Sequence, residues 1–428
     1  MMEVREFQSN SEFPKFLDSN DPLGHFRQRF CIQKSVIYMC GNSLGPASKD
    51  AEETLYRAIE KWKEEGVKIW STDNNKYFFY SRELAQLMAP LINCDPEEIA
   101  VTECVTTNIH QVIGTFFKPT KIRYKIIVDD INFPTDRYAI DGQVRLKGLD
   151  PVEVVKVVKA KSNYLDEDDV INAMTEDVQM VFLPTVYYRT AQIVNMKKVT
   201  EAAKKRGIVV GWDFCHAIGA IEIDLKLLDA DFAVWCTYKY LNGGPGSTAA
   251  LYINKRHFKM LPGLPGWFGN KFETQFLLRQ TFEHQEDANG WQIGTPTIFS
   301  SAPLEGSLRL FQEAGIQNIR KKSLHLTAYL MYLVDEKLTH YGFTIGNSRN
   351  DTKRGGHVCL EHNEGYRISK VLLDRGVIQD FRDPNVIRLT PTALYTSYFE
   401  VYRIVEILED IMKGAAYKEI STKKTIVV

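Results

Sequence analysis

The chain has almost no imbalance of charge: its 428 residues carry 53 Lys plus Arg against 54 Asp plus Glu, a formal net charge of -1. A protein whose main partner is a polyanion shows a basic excess, so this balance argues against nucleic acid. Cysteine is sparse and unpatterned, with seven residues (31, 40, 94, 104, 215, 236 and 359), odd in number and never spaced Cys-x-x-Cys. That argues against a disulfide framework or a zinc ribbon, predicts no metal site, and fits a reducing compartment. No uncharged apolar run reaches the ~18 residues needed to cross a bilayer. Met1 to Lys15 is polar and charged, without the apolar core of a signal peptide. The expectation is a soluble, cytoplasmic chain with no membrane partner. Hydrophobic residues at 44% and charged residues at 25% fit an ordinary globular protein, not disorder or coiled coil. The length suggests two or three domains at roughly 150 residues each.

From about 95 to 255, short β-branched runs alternate with helical patterns. Lys125–Val128, Val178–Leu183, Ile208–Trp212, Phe232–Trp235 and Ala249–Ile253 are continuous apolar runs, as expected of strands buried on both faces of a mainly parallel sheet. Val199–Lys205 reads as a helix closed by Gly207. This alternation predicts an α/β layered domain. Beyond it, Leu326–Tyr341 reads as a long helix, His357–Glu361 as a strand, and a second helix starts near Glu364. Ser397 and Glu400 have capping-box spacing ahead of Val401–Met412. Long helices with a few short strands predict a smaller α+β domain, with the break expected near 300–310.

The most informative stretch is Trp235-Cys-Thr-Tyr-Lys-Tyr-Leu-Asn-Gly-Gly-Pro-Gly-Ser247. A lysine at the end of an apolar strand is costly to bury, and desolvation lowers its pKa, which suits an amine that must form a Schiff base. The competing reading is a lysine that snorkels to the surface. The glycines lack the Gly-Lys-[Ser/Thr] ending of a nucleotide P-loop. Upstream, Val209-Val-Gly-Trp-Asp213 places a carboxylate at another strand end, with His216 three residues on. Ligands of open α/β sheets bind beyond the carboxyl ends of strands, and an aspartate there can keep a pyridinium nitrogen protonated. Alone, Asp213 reads equally well as a helix N-cap; the pairing with Lys239 is far more specific. Thr106 and Thr107 precede the helical pattern Ile109–Phe117, where free N–H groups and the helix dipole favour an anion such as phosphate, although an ordinary Thr cap competes. Phe133 can stack on a planar ring. Trp267, in a turn-rich loop, can plug a core, reach a ligand or reach a second subunit.

Together these segments closely resemble the kynureninase family of fold-type-I pyridoxal-phosphate enzymes. The matching stretches are Gly41-Asn-Ser-Leu-Gly45, Phe133-Pro-Thr-Asp136, Gly211-Trp-Asp-Phe-Cys-His216, Tyr238-Lys-Tyr-Leu-Asn-Gly-Gly-Pro-Gly246, Gly266-Trp-Phe-Gly269 and Ile387-Arg-Leu-Thr-Pro391 with Leu394-Tyr395. They run in family order from about residue 36 to 412. The resemblance implies a large α/β/α cofactor domain at 48–305 and a small α+β domain made of 1–47 with 306–428. It implies that Lys239 forms the internal aldimine with pyridoxal 5'-phosphate, that Asp213 pairs with the ring nitrogen, and that Asp136 lies near the same ring edge. Phe133, with Pro134 and Thr135 beside it, would stack on the ring, and His216 would approach its side. Val105, Thr106 and Tyr238 would hold the phosphate, joined by Trp267 and Thr295 from the partner subunit of a homodimer with shared sites. Arg388 would take the substrate carboxylate, a role its planar fork suits. Asn42, Ser43 and Trp70 would line the substrate pocket.

The implied reaction is hydrolysis of L-kynurenine, and of its 3-hydroxy form, to anthranilate (or 3-hydroxyanthranilate) and L-alanine, a step of tryptophan degradation and NAD biosynthesis. Lys239 would be the base for the α-proton and Tyr238 the proton relay. Three departures from the family pattern stand out. Pro184 replaces a Ser or Thr near the phosphate, so that bond is either lost or taken over by Thr185. Ala191 replaces a glycine. Thr295, as in bacterial-type members, favours L-kynurenine over the 3-hydroxylated substrate. Two rivals are weaker. A cysteine desulfurase-like lyase places His before the lysine and uses a loop cysteine, whereas here Tyr238 precedes Lys239 and Cys359 sits in a strand pattern. A non-catalytic protein of the same fold would need no carboxylate clamp like Arg388.

Overall fold

The computed structural model describes residues 6–423. Its centre is a seven-stranded sheet built from β1 (Ile99–Val101), β2 (Lys125–Asp129), β3 (Val155–Val158), β4 (Val178–Pro184), β5 (Val209–Asp213), β6 (Phe232–Trp235) and β7 (Ala250–Ile253). The spatial order is β1-β7-β6-β5-β4-β2-β3. β7 alone runs opposite to the other six strands, so the sheet is mainly parallel, as the continuous apolar runs predict. Alternate residues divide between two cores. Ile127, Val181, Val210, Trp212 and Trp235 face one, while Ile126, Val128, Phe182, Val234 and Leu251 face the other. Both faces are therefore dry, which is why polar alternation is missing from these strands.

Ten longer helices flank the sheets: α1 (Glu12–Ser19), α2 (Lys49–Glu65), α3 (Tyr80–Ile92), α4 (Val105–Phe116), α5 (Pro134–Leu146), α6 (Met196–Lys204), α7 (Ile298–Ala314), α8 (Ile316–Lys337), α9 (Gly365–Asp374) and α10 (Tyr398–Lys413). The Ser397–Glu400 capping box opens α10 as its spacing predicts. The helix expected at Leu326 begins ten residues earlier, because the apolar stripe continues through Ile316 and Ile319.

A second, antiparallel sheet has β8 (Thr344–Ile345), β9 (Val358–Glu361), β10 (Asp380–Arg382) and β11 (Val386–Leu389) in the order β10-β11-β9-β8. Its core combines Leu330, Val358, Leu372, Ile387 and Val405 with Phe13, Leu17 and Met39 from the chain start. Ile37–Tyr38 pairs in parallel with Val377–Ile378 as a separate two-stranded sheet, which ties the N-terminal segment to this lobe. The expected break at 305 falls inside the continuous helix α7. Leu308, Phe311, Ile316 and Ile319 still pack into the large core, and the small core begins at Leu326. Leu23, Phe26 and Phe30 also join the large core, so the N-terminal segment bridges both. Among the described residues no helix is long and apolar enough to cross a membrane, and no His/Cys/Asp/Glu group is placed to hold a metal.

Candidate active site

The parallel strands deliver their carboxyl ends to one edge, where a cavity of about 250 Å³ opens. Asp213 ends β5 beside Pro184 of β4 and Val234 of β6. Its carboxylate is buried and accepts the Cys215 N–H at 2.7 Å. Four residues past β6, the loop turns Lys239 back into the cavity. Two glycines make this crossing possible. Gly45 donates its N–H to the Tyr238 carbonyl at 2.8 Å, and a Cβ there would lie 2.6 Å from the Lys239 carbonyl oxygen. At Gly41 a Cβ would run into the Tyr395 hydroxyl and lie 2.8 Å from Thr392 Oγ1. The Gly41–Gly45 stretch can therefore lie flat against the lysine loop, which places Asn42 and Ser43 on the cavity wall.

Lys239 Nζ stands 3.0 Å from His216 Nε2. Burial, then the positive charge of Lys239, hold the imidazole well below its usual pKa. A neutral ring then accepts from the lysine at Nε2, leaving the proton on Nδ1, a buried atom with no hydrogen-bond partner. The expected depression of the lysine does not occur. Burial lowers its pKa, but Cys236, Cys215 and Asp213 together outweigh burial and raise it. The sequence showed the apolar strand leading to Lys239 but not Cys215 and Asp213, gathered from the neighbouring strand end to join Cys236.

Asp136 lies in the first turn of α5, which Pro134 opens. Asn132 Nδ2 donates to Asp136 Oδ2 at 2.6 Å. Burial, and next the Asp213 charge, push the Asp136 carboxyl well above the ordinary carboxylate range, and burial also raises Asp213. Two buried carboxylates this close call for a shared cationic partner. At the other end, α4 starts at Val105, four residues earlier than predicted, so Val105 and Thr106 are its first turn. Cys104 provides no side-chain cap, which leaves first-turn N–H groups facing the cavity. Thr106 Oγ1 and Thr135 Oγ1 are 2.9 Å apart beside them. Tyr238 lines the same cavity, and burial keeps its phenol protonated. Phe133, half exposed, stands on the rim edge-on to Tyr188 at 5.7 Å.

Arg388 on β11 faces Asp380 of β10 directly across the strand pair. Its Nε donates to Asp380 Oδ1 at 2.6 Å, its Nη2 to Asp380 Oδ2 and to Ser43 Oγ, and its Nη1 to the Tyr188 carbonyl at 2.8 Å. Asn42 is fully buried, and neither its Nδ2 nor its Oδ1 has a partner within the chain. A buried amide without partners is costly unless a ligand completes it.

The cavity thus brings together Asn42, Ser43, Val105, Thr106, Phe133, Thr135, Asp136, Asp213, His216, Tyr238, Lys239 and Arg388. Four other residues named from the sequence lie elsewhere. Pro134 starts its helix without reaching the wall. Trp70 lies in a separate apolar depression with Trp62, Val67, Pro296 and Phe299. Trp267 sits on another with Gln275 and Leu278, and Thr295 is exposed beside Pro296. Pro184 lies on the wall beside Asp213, while Thr185 is not on the wall and its hydroxyl is buried without a partner within the chain. Ala191 has φ 55°, the left-handed backbone for which glycine is the easy choice. The sequence reading missed Tyr188, Asp380 and Arg382. Asp380 and Arg382 alternate along one short strand, eight and six residues before Arg388, a spacing that carries meaning only once the antiparallel pairing is known.

The residues present fit pyridoxal phosphate: an uncapped helix start with two hydroxyls for the phosphate, a reachable lysine, paired carboxylates for a protonated ring nitrogen, and an aromatic rim. Fold and site together define a pyridoxal-phosphate-dependent enzyme of fold type I. The fold is shared with a cysteine desulfurase from Thermococcus onnurineus (TM-score 0.77, 19% identity, 92% of this chain and 98% of that one). It is shared as well with the cystine C–S lyase C-DES in complex with cysteine persulfide (TM-score 0.77, 17% identity, 88% and 98%). The Kynureninase C-terminal domain model matches residues 319–408. Kynureninase of Geobacillus thermodenitrificans is 48% identical over 97% of both chains, and that of Bacillus anthracis is 49% identical over 98% of this chain and 99% of its own. The chain belongs to the kynureninase family.

Proposed function

We propose that this enzyme hydrolyses L-kynurenine to anthranilate and L-alanine in the cytoplasm, with pyridoxal phosphate held by Lys239. The observation that carries this reading is one cavity with the lysine and aspartate of a cofactor site at its base and an arginine–serine pair beside an unpartnered amide, Asn42, on its wall. The bound cofactor supplies the electron sink for charge developing at the substrate α-carbon. Asp213 holds the ring nitrogen protonated, and the first turn of α4 with Thr106 and Thr135 holds the phosphate. Arg388 and Ser43 receive the substrate carboxylate, which sets the α-hydrogen toward Lys239. Lys239 Nζ takes that proton, and His216 Nε2, 3.0 Å away, keeps the amine in place. Water then adds to the γ-carbonyl, and the bond between the β- and γ-carbons breaks. Tyr238, protonated at Oη, is the proton donor and acceptor for this phase.

Two lobes, one around each core, are the working units of this reading. Trp70, Trp267 and Thr295, all outside the cavity of their own chain, are assigned to a homodimer with shared sites. In support, Trp62, Val67, Phe299, Phe276 and Leu278 form exposed apolar surface around them. Thr295 favours L-kynurenine over its 3-hydroxy form, which is also turned over. Incubating the cofactor-loaded protein with each substrate and following anthranilate fluorescence tests the activity. Absence of product, or release of sulfide from cysteine instead, overturns it. Mixing Lys239→Ala and Trp267→Ala subunits tests the shared site. A hybrid dimer holds one intact site, so activity should rise above both parents; no rise refutes sharing.

A further inference from the structure

The carboxylate end of the cavity contains two guanidinium groups and one carboxylate. Arg388 has five N–H donors, and four are engaged: two by Asp380, one by Ser43 Oγ at 2.9 Å and one by the Tyr188 carbonyl at 2.8 Å. One N–H remains, too few for a two-pronged grip on a substrate carboxylate. Arg382 also lines the cavity. It spends one donor on Asp380 Oδ2 at 3.0 Å and one on the Phe381 carbonyl at 3.2 Å, and its side chain is one-third exposed. Asp380 Oδ2 thereby accepts from Arg382, Arg388 and the Ser43 hydroxyl at once. Two cations against one anion leave this end a net positive charge that a bound carboxylate neutralises. Arg388 itself is buried and held by four hydrogen bonds, so reaching out to the ligand would break them.

We propose that Arg382 supplies the second contact to the substrate carboxylate, and that Asp380 is a positioning residue holding both guanidinium groups and Ser43 in one bracket. This rests on the reading of the site as a kynurenine pocket. It divides recognition into a fixed inner arginine and an outer arginine with free donors, both aimed by the same carboxylate. Burial works against ionisation of Asp380, but the bonds from Arg388 outweigh it and keep the carboxyl below the ordinary range, so the bracket stays charged.

The test uses the cofactor-loaded enzyme and two non-reacting probes. One is 4-(2-aminophenyl)-4-oxobutanoate, which keeps the aryl ketone, the ring amine and the carboxylate but lacks the α-amine; the other is its uncharged amide. Arg382→Gln should weaken the acid about tenfold, the amide far less, and raise KM for L-kynurenine more than it lowers kcat. Arg382→Lys should recover part of the loss. Asp380→Asn should raise KM as well, Asp380→Glu should rescue it in part, and adding Arg382→Gln to Asp380→Asn should cost less than the two separate losses combined. An unchanged acid-to-amide ratio in Arg382→Gln, with the cofactor absorbance intact, overturns the assignment. Full additivity of the two changes overturns the role of Asp380. Because the ratio is read by binding, it decides Arg382 even where the native enzyme forms no anthranilate, an outcome that would overturn the substrate assignment instead.

Discussion

Gly45→Ala puts the smallest side-chain change at the contact that aims Lys239. The added Cβ would lie 2.6 Å from the Lys239 carbonyl oxygen and 2.8 Å from Asn242 Cα, against at least 3.4 Å for an ordinary contact. Both neighbours are backbone atoms, so no rotamer change relieves the clash, and the two segments must part by about 0.8 Å, the difference between 3.4 and 2.6 Å. Such overpacking costs about 1–3 kcal/mol. It also stretches the 2.8 Å bond from the Gly45 N–H to the Tyr238 carbonyl and shifts the Lys239 backbone by a similar amount. A displacement near 1 Å at a reacting group lowers turnover by about 100-fold. Two measurements check this: the denaturant midpoint, expected to fall, and kcat for anthranilate release, expected to fall far more than the loss of folded protein explains. A variant with unchanged midpoint and unchanged kcat would refute the claim that this close approach positions the lysine.

Three further outcomes are expected. Lys239→Ala should lose both the visible absorbance of the loaded enzyme and turnover; a mutant retaining either sinks the lysine assignment. Because the neighbours of Lys239 raise its pKa, the empty enzyme holds a protonated amine. Its rate of recombination with pyridoxal phosphate should then climb about tenfold per pH unit from neutrality upward, and a plateau below pH 7 contradicts this. Asp129 has its carboxyl pushed up from 3.8 to about 6, chiefly by burial. Between those values the folded chain keeps a proton that the unfolded chain has released, so stability falls as pH rises through the window and the loss is complete above about 6. Asp129→Asn should remove that loss, stabilising the protein by up to about 3 kcal/mol at pH 7 and not at all at pH 3.5. Parallel pH-stability curves for the two proteins would disprove it.

The sequence by itself determined the parts governed by local chemistry and periodicity. Continuous apolar runs named five of the strands, because a strand buried on both faces leaves no room for polar alternation. Ser397 and Glu400 announced the start of their helix because a capping box closes within one turn. Lys239 and Asp213 were legible because each is a polar group at the end of an apolar strand, and parallel strands send such ends to the same edge. Tertiary structure alone decided what depends on residues meeting from distant places. The charge of Lys239 depends on Cys215 and Asp213 from the neighbouring strand end, which join Cys236 of its own segment in countering burial. The carboxylate bracket of Ser43, Asp380, Arg382 and Arg388 exists only through antiparallel pairing of two short strands and the flat approach of the Gly41–Gly45 segment. Trp70, Trp267 and Thr295 lie outside the cavity, a placement set by proximity in space that their positions along the chain do not record.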